Sequence, residues 1–115
     1  MVLWIGFDLQ AEIDAGDGNN STALHIAAVY GKEAVAAQLL QAGASVSAVN
    51  GYCQTPLHYA ARCGKSSIAN LLLQANASPT AVDNGGRTPA QRAKQQGHGD
   101  LAARLPEAEQ AAALK

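Results

Sequence analysis

Apolar and polar residues follow a helical spacing through the middle of the chain. Leu57, Ala60 and Ala61 lie at positions i, i+3 and i+4. A second apolar stripe, at i, i+3, i+4 and i+7, consists of Ile68, Leu71, Leu72 and Ala75. This spacing places apolar side chains on one face of an α-helix. Residues 55–76 therefore predict two short amphipathic helices.

The residues that flank the two stripes predict where these helices begin and end. Thr55 is a good N-cap, and Pro56 fits the first helical position because its missing N–H costs nothing there. Gly64 is expected to end the first helix, since glycine enters the left-handed conformation without a Cβ penalty. Asn76 is expected to end the second helix, as Gly43 would in an equivalent helix earlier in the chain.

The same pattern occurs three times at a fixed period. The three copies are TALHIAAVYG at 22–31, TPLHYAARCG at 55–64 and TPAQRAKQQG at 88–97. A constant spacing of 33 residues relates the equivalent positions of the three copies. These are the threonines Thr22, Thr55 and Thr88, the alanines Ala27, Ala60 and Ala93, and the glycines Gly31, Gly64 and Gly97. Val35, Ile68 and Leu101 keep the same spacing, as do Leu39, Leu72 and Leu105. Repetition at such a period indicates an array in which neighbouring units bury one another's apolar faces.

The chain resembles the ankyrin-repeat family, whose repeats have a period of 33 residues and carry the motif T-P-L-H-x-A. The copies TALHIAA and TPLHYAA match this motif, and LLQAGAS and LLQANAS follow them. The resemblance covers nearly the whole chain. It implies an all-α solenoid of stacked helix–turn–helix units linked by β-hairpin-like loops. We expect one domain over residues 1–115, with a partial repeat at 1–16, repeats at 17–49 and 50–82, a degenerate capping repeat at 83–106 and a tail at 107–115.

Both ends depart from the family's pattern. In the third copy the motif's leucine, histidine and second alanine become Ala90, Gln91 and Lys94, and a later leucine becomes Pro106. Loss of apolar positions on the outer face is expected of a terminal repeat, which has no neighbour on that side. Residues 1–9 are interpreted either as a partial helix that covers the array or as a disordered segment. The tail is either a further helix or a frayed linker.

Composition and charge exclude several classes of function. Aromatic residues make up 4% of the chain, so its core must be built from smaller apolar side chains. Eight basic and nine acidic residues give a net charge of −1, which provides no overall attraction to nucleic acid or anionic lipid. The apolar start MVLWIGFDL lacks the basic residues of a signal peptide and is far short of a membrane span of ~20 residues. We expect a cytoplasmic monomer, with the nucleus as the alternative compartment.

The chemically versatile side chains favour structural roles. His25 and His58 occupy the same motif position, and the resemblance implies that each is buried, fixed by the motif threonine and hydrogen-bonded to the neighbouring hairpin. A catalytic histidine would be expected once. Cys53 and Cys63 lack the CxxC spacing of a zinc site, and without secretory features free thiols are expected rather than a disulfide. His98 is expected to be solvated. We expect no catalytic residue, no cofactor and no metal.

The resemblance implies that the chain binds another protein through the concave surface formed by hairpin tips and first helices. The alternative is a regulatory or targeting segment of a larger multidomain enzyme or signalling protein. The repeat register places the candidate contact residues at Asn19, Ser21, Val29, Tyr30, Tyr52, Gln54, Arg62, Cys63, Asn84, Arg87, Gln95 and Gln96, and Tyr59 lies one helical turn before Arg62. Among these the tyrosines and arginines are the expected hot spots, with coverage of the core as the alternative role of the tyrosines.

Overall fold

The computed structural model describes residues 16, 18 and 20–105. The expectations for residues 1–9, for Asn19 and for the tail lie outside the described residues. The described part contains six helices and no strand, as expected for an all-α array. The helices are α1 (Ala23–Tyr30), α2 (Glu33–Gln41), α3 (Pro56–Arg62), α4 (Ser66–Gln74), α5 (Pro89–Gln95) and α6 (Gly99–Arg104).

The first helix of each unit begins at the motif threonine, as predicted. Thr22, Thr55 and Thr88 have extended backbones, and each side-chain oxygen accepts the backbone N–H of the third helical residue. That third residue, His25 or His58 in the first two units, accepts the threonine N–H in return. Two of the helix's unpaired N-terminal donors are thereby satisfied reciprocally, as in a capping box. The threonine therefore fixes both the start of the helix and the rotamer of the motif histidine.

The predicted helix ends are also confirmed. Gly31, Gly64 and Gly97 follow the first helices with φ of 68°, 70° and 81°. Gly43 and Asn76 follow the second helices with φ of 94° and 72°. These are left-handed conformations, in which residues other than glycine and asparagine are disfavoured. The array's turns are therefore determined locally by residue type.

Small side chains allow the helices to pack closely in two layers. The first helices lie side by side, α1 against α3 and α3 against α5, and α2 packs against α4. Ala27, Ala60 and Ala93 lie at these contacts and are at most 3% exposed. The core as a whole consists of alanines together with Leu24, Leu57, Ile68, Leu72, Leu101 and Leu105. Val35 departs from its equivalents Ile68 and Leu101, since it is 45% exposed and no described unit precedes α1 and α2 to cover it.

The residues that precede the second helices α4 and α6 also contact the preceding unit. The His98 ring lies over Gly64, so that a Cβ at Gly64 would be 2.7 Å from its Cε1 atom. Lys65, at the equivalent position one repeat earlier, lies in the same way over Gly31, with its Cδ 3.2 Å from such a Cβ. His98 is half-buried. The expectation that it is solvated is therefore corrected, because its ring packs between two units.

Replacing Gly64 by alanine is expected to destabilise the protein more than replacing Gly97. Both glycines have positive φ, so either alanine introduces a strain of about 1 kcal/mol. Only at Gly64 does the new methyl group meet a side chain, and nothing lies within 4 Å of a Cβ at Gly97. We expect an additional loss of about 1 kcal/mol for Gly64→Ala, measured by urea unfolding. Adding His98→Ala should remove the difference, and equal losses in the two alanine variants would contradict this packing.

Candidate functional site

The loop that leads into each first helix is organised by one polar side chain at its start. Asn50 Oδ1 accepts the backbone N–H groups of Tyr52 at 2.9 Å and of Gln54 at 3.0 Å. The Asn50 N–H donates to the Gln54 carbonyl oxygen at 3.1 Å, which closes the loop as a narrow hairpin. Asp83, at the equivalent position of the next repeat, repeats this arrangement. Because these bonds hold the backbone, the exposed tip of the hairpin has a defined position.

In the third unit the organising side chain is a buried carboxylate that is fully engaged. Oδ1 of Asp83 accepts the N–H groups of Gly85 at 2.9 Å and Arg87 at 3.1 Å. Oδ2 accepts Nε of Arg92 at 2.7 Å and also pairs with Nη2 of the same guanidinium. Burial alone would raise the pKa of Asp83, but the hydrogen bonds from Arg87, Arg92 and Gly85 outweigh it and lower that pKa overall. Asp83 therefore stays ionised and fixes the Arg92 side chain.

Tyr59 occupies in the second unit the position of Arg92 in the third. Its hydroxyl accepts a hydrogen bond from Nδ2 of Asn50 at 2.6 Å. Its ring meets His25 edge-on, with centroids 5.3 Å apart and planes at 72°. The Arg62 guanidinium lies 4.9 Å from the centroid of the same ring. Tyr59 thus connects the hairpin of its own unit with the first unit and with the end of α3.

The two motif histidines join neighbouring units through their second ring nitrogen. Nδ1 of His25 and of His58 receives the backbone N–H of Thr22 or Thr55, at 3.0 Å and 3.1 Å. Nε2 then carries the proton and donates to a carbonyl oxygen of the next hairpin, that of Gln54 at 2.7 Å or Arg87 at 2.8 Å. Both rings are buried. The predicted structural role is therefore confirmed.

Burial also determines the charge state of His58. Desolvation lowers its pKa below 6.5, and this outweighs the opposing effect of the hydrogen bond to the Arg87 carbonyl oxygen. At neutral pH the ring is uncharged, with one nitrogen accepting and the other donating. Protonation would place a second proton on Nδ1, where the Thr55 N–H now donates. The stacking contact between the second and third units therefore requires the neutral ring.

Between the second and third hairpins lies an open depression of about 370 Å³. We call it the Arg62 groove, and its lining residues are Tyr52, Gln54, Tyr59, Arg62, Asn84 and Arg92. The Asn84 N–H donates to the Tyr52 carbonyl oxygen at 3.0 Å, so the two hairpin tips are tied together at its edge. Tyr52 is 55% exposed there. The groove thus combines an exposed aromatic ring with two guanidinium groups on a rigid frame.

A family model described as ankyrin repeats, in three copies, matches residues 3–83 and again residues 49–112. The chain belongs to the ankyrin-repeat family. None of the curated proteins compared with the sequence matches it. Ankyrin repeats are generally protein–protein interaction modules and are typically not catalytic.

The predicted contact residues of this ankyrin array are grouped and exposed unequally. Five of them, Tyr52, Gln54, Tyr59, Arg62 and Asn84, meet in the Arg62 groove. Arg87 and Gln95 line a neighbouring depression of about 460 Å³ on the third unit. Tyr30 and Gln96 are exposed, and Val29 and Cys63 are partly buried at the ends of α1 and α3. Ser21 and Gln54 are 6% and 7% exposed, so their side chains offer little area to a partner.

Four further residues line or support this ankyrin surface, and they were not among the predicted contact residues. Arg92 is the equivalent of Tyr59 one repeat later and lines the same groove. Ile26 is its equivalent one repeat earlier and is 40% exposed. Asn50 and Asp83 position the hairpin tips without contributing to the groove wall. Projecting the position of Tyr59 onto the other two units would have identified both Ile26 and Arg92.

Other classes of site find little support in the described residues. No group of three or more His, Cys, Asp and Glu side chains in that part of the chain could hold a metal ion. Cys53 and Cys63 are both free thiols. No helix between residues 20 and 105 is long and apolar enough to cross a membrane.

Proposed function

We propose that this chain is a non-catalytic module that binds a protein partner through its concave surface of hairpin tips and first helices. The observation that carries the proposal is the Arg62 groove, where exposed and half-buried aromatic and arginine side chains lie on a backbone fixed by hydrogen bonds. Tyrosine and arginine dominate the energetics of protein interfaces. Because the hairpins are already ordered, little conformational entropy would be lost there on binding.

The engagement of the histidines supports a role other than catalysis. Both ring nitrogens of His25 and His58 are occupied by backbone groups of the array. A general base needs a nitrogen within reach of substrate, and here none is available without breaking the contact between units. The depressions on the described surface are open and shallow, which suits a partner that lies across several repeats.

The side chains along the concave face change character from the first unit to the third. The equivalent positions Ile26, Tyr59 and Arg92 run from aliphatic through aromatic to cationic, and Val29, Arg62 and Gln95 become polar in the same direction. Tyr30 and Tyr52 are 67% and 55% exposed, so both rings are accessible to a partner. We infer that the partner presents apolar residues toward the first unit and polar ones toward the third.

We expect repeats at 17–49 and 50–82 and a capping repeat from residue 83, because Gln91 and Lys94 present polar side chains on the outer face of α5. We expect the chain to act as a monomer in the cytoplasm or nucleus. With a net charge of −1, no binding to nucleic acid is expected.

The proposal is tested with a partner isolated from source cells by affinity capture and identified by mass spectrometry. Tyr52→Ala and Arg62→Ala are expected to weaken binding, at least one of them by about 2 kcal/mol, because both line the Arg62 groove. The melting temperature should change little, since Tyr52 is exposed and Arg62 is only partly buried.

The control is the opposite face of the array. Asn70 and Gln74 lie exposed on α4, and their replacement by alanine should leave affinity unchanged. Normal binding by both groove variants, together with loss of binding by the α4 variants, would place the interface on the second helices and overturn the proposal.

A further inference from the structure

The Arg62 guanidinium is positioned by a ring and leaves its hydrogen-bonding capacity unused. It lies 4.9 Å from the centroid of Tyr59, and within the described residues it forms no hydrogen bond or ion pair. A guanidinium carries five N–H donors in one rigid plane and has no acceptor of its own. The Tyr59 ring is itself fixed by its hydroxyl bond with Asn50 and its contact with His25. Arg62 is thus a pre-positioned donor with no acceptor in that part of the chain.

The surroundings of Arg62 offer no exposed carboxylate, among the described residues, that could neutralise it. None of the six residues that line the Arg62 groove is acidic. The Asp83 side chain is 1% exposed and already engaged by Arg92, Gly85 and Arg87. The other two acidic residues of the described part, Glu33 and Asp100, belong to second helices. Among the described residues the groove therefore carries one positive charge that no carboxylate neutralises, although the whole chain has a net charge of −1.

We propose that the Arg62 groove binds an acidic peptide segment of the partner, with an Asp or Glu carboxylate paired to the Arg62 guanidinium. This inference rests on the proposed function and names the chemistry of the segment that the surface recognises. Arginine's fork matches the two oxygens of a carboxylate, and such charge-assisted pairs are stronger than neutral hydrogen bonds. The exposed ring of Tyr52 at the same edge provides a surface for an apolar residue next to that carboxylate.

The groove fits a carboxylate on a peptide better than the phosphates of a nucleic acid. Of its two guanidinium groups, that of Arg92 is neutralised by the buried Asp83 carboxylate. A nucleic-acid surface needs several Lys and Arg side chains that follow the backbone and release counterions. One arginine that has no acidic partner among the described residues, beside two tyrosines, provides instead a single anchor with an apolar margin. This is the pattern of a hot spot at a protein interface.

The test is a selection of short random peptides on the full chain, followed by fluorescence anisotropy with a labelled peptide from the selected pool. The selected peptides should share an Asp or Glu next to an apolar residue. Arg62→Gln is expected to weaken binding at least about tenfold, the loss of one charge-assisted pair. Replacing the shared acidic residue of the peptide by its amide should have the same effect, and the two changes together should not add. Arg62→Lys should retain part of the affinity, because it keeps the charge and loses the fork.

Arg104→Gln is the matched control, since it removes the same charge from the exposed face of α6. It should leave the affinity within about twofold of the parent, in line with the small effect of a distant exposed charge. Melting temperatures of all variants show whether the fold is retained.

The possible negative results distinguish the acidic-segment proposal from the concave-surface function. Selected peptides without a shared carboxylate, a selection that yields no peptide, or equal effects of Arg62→Gln and Arg104→Gln would overturn the acidic-segment proposal. Should Tyr52→Ala still weaken binding of the captured partner in those cases, the concave-surface function would stand. An Arg62-dependent affinity for a labelled single-stranded oligonucleotide that equals the peptide affinity at physiological salt would overturn the choice of a peptide.

Discussion

Asp83→Ala is expected to lower the free energy of unfolding by about 2–4 kcal/mol, because it removes the acceptor of several hydrogen bonds at once. The N–H groups of Gly85 and Arg87 would lose their partner, and the Arg92 guanidinium, with 22% of its side chain exposed, would lose its counter-charge. The hairpin between the second and third units would then lose its order. The measurement is chemical denaturation at neutral pH, where Asp83 is ionised because its pKa lies below 3.8.

The second unit supplies the control for this prediction. Asn50 holds its hairpin with the same two backbone bonds and donates to Tyr59 where Asp83 binds Arg92. Asp83→Asn should therefore cost less than Asp83→Ala, because the backbone bonds remain. The double variant Asp83→Asn/Arg92→Tyr transfers the arrangement of the second unit and should recover part of the remaining loss. If Asp83→Ala left the free energy of unfolding unchanged, the carboxylate would not be what holds the hairpin.

The fold was predictable because its determinants are local and repeat. Thr55 and Gly64 indicate a helix start and a helix stop by their own chemistry, and recurrence at a fixed period shows that the pattern is not accidental. The roles of His25 and His58 were predictable for a different reason. The family resemblance implied that this motif histidine is buried and hydrogen-bonded to the neighbouring hairpin, and the structure shows those bonds.

The candidate site was less predictable because it depends on pairs of residues that the motif does not specify. The Asp83–Arg92 pair forms across a loop, and neither residue is distinctive by type. Cys53 has a φ of 59°, a conformation that cysteine rarely adopts, and only its register with Asn20 and Gly86 would have indicated it. The shape of the Arg62 groove depends on side chains of two adjacent units, and the distance between these units is set by how the repeats stack. Patterns within one unit cannot specify that distance.

His58→Ala is expected to destabilise the protein by about 2–4 kcal/mol. The substitution leaves the Arg87 carbonyl oxygen and the Thr55 N–H without their partner and opens a cavity where a ring that is 1% exposed had been. His58→Gln should cost less. Gln91 shows why, since at the equivalent position it accepts the Thr88 N–H at 2.9 Å and completes the same capping box.

The pH dependence of the free energy of unfolding tests whether the buried His58 ring has to be uncharged in the folded state or only fills space. His58 has a pKa below 6.5 in the folded state, so as pH falls below 6.5 the unfolded chain takes up a proton at this site before the folded one does. Uptake by the unfolded state lowers the free energy of unfolding, and the loss levels off once pH falls below the folded pKa. The parent should therefore lose more stability than His58→Gln between pH 7 and pH 5, and the two curves should run parallel above pH 7. Parallel curves over the whole range would mean that His58 titrates alike in both states. That result would contradict a neutral His58 ring as the link between the second and third units.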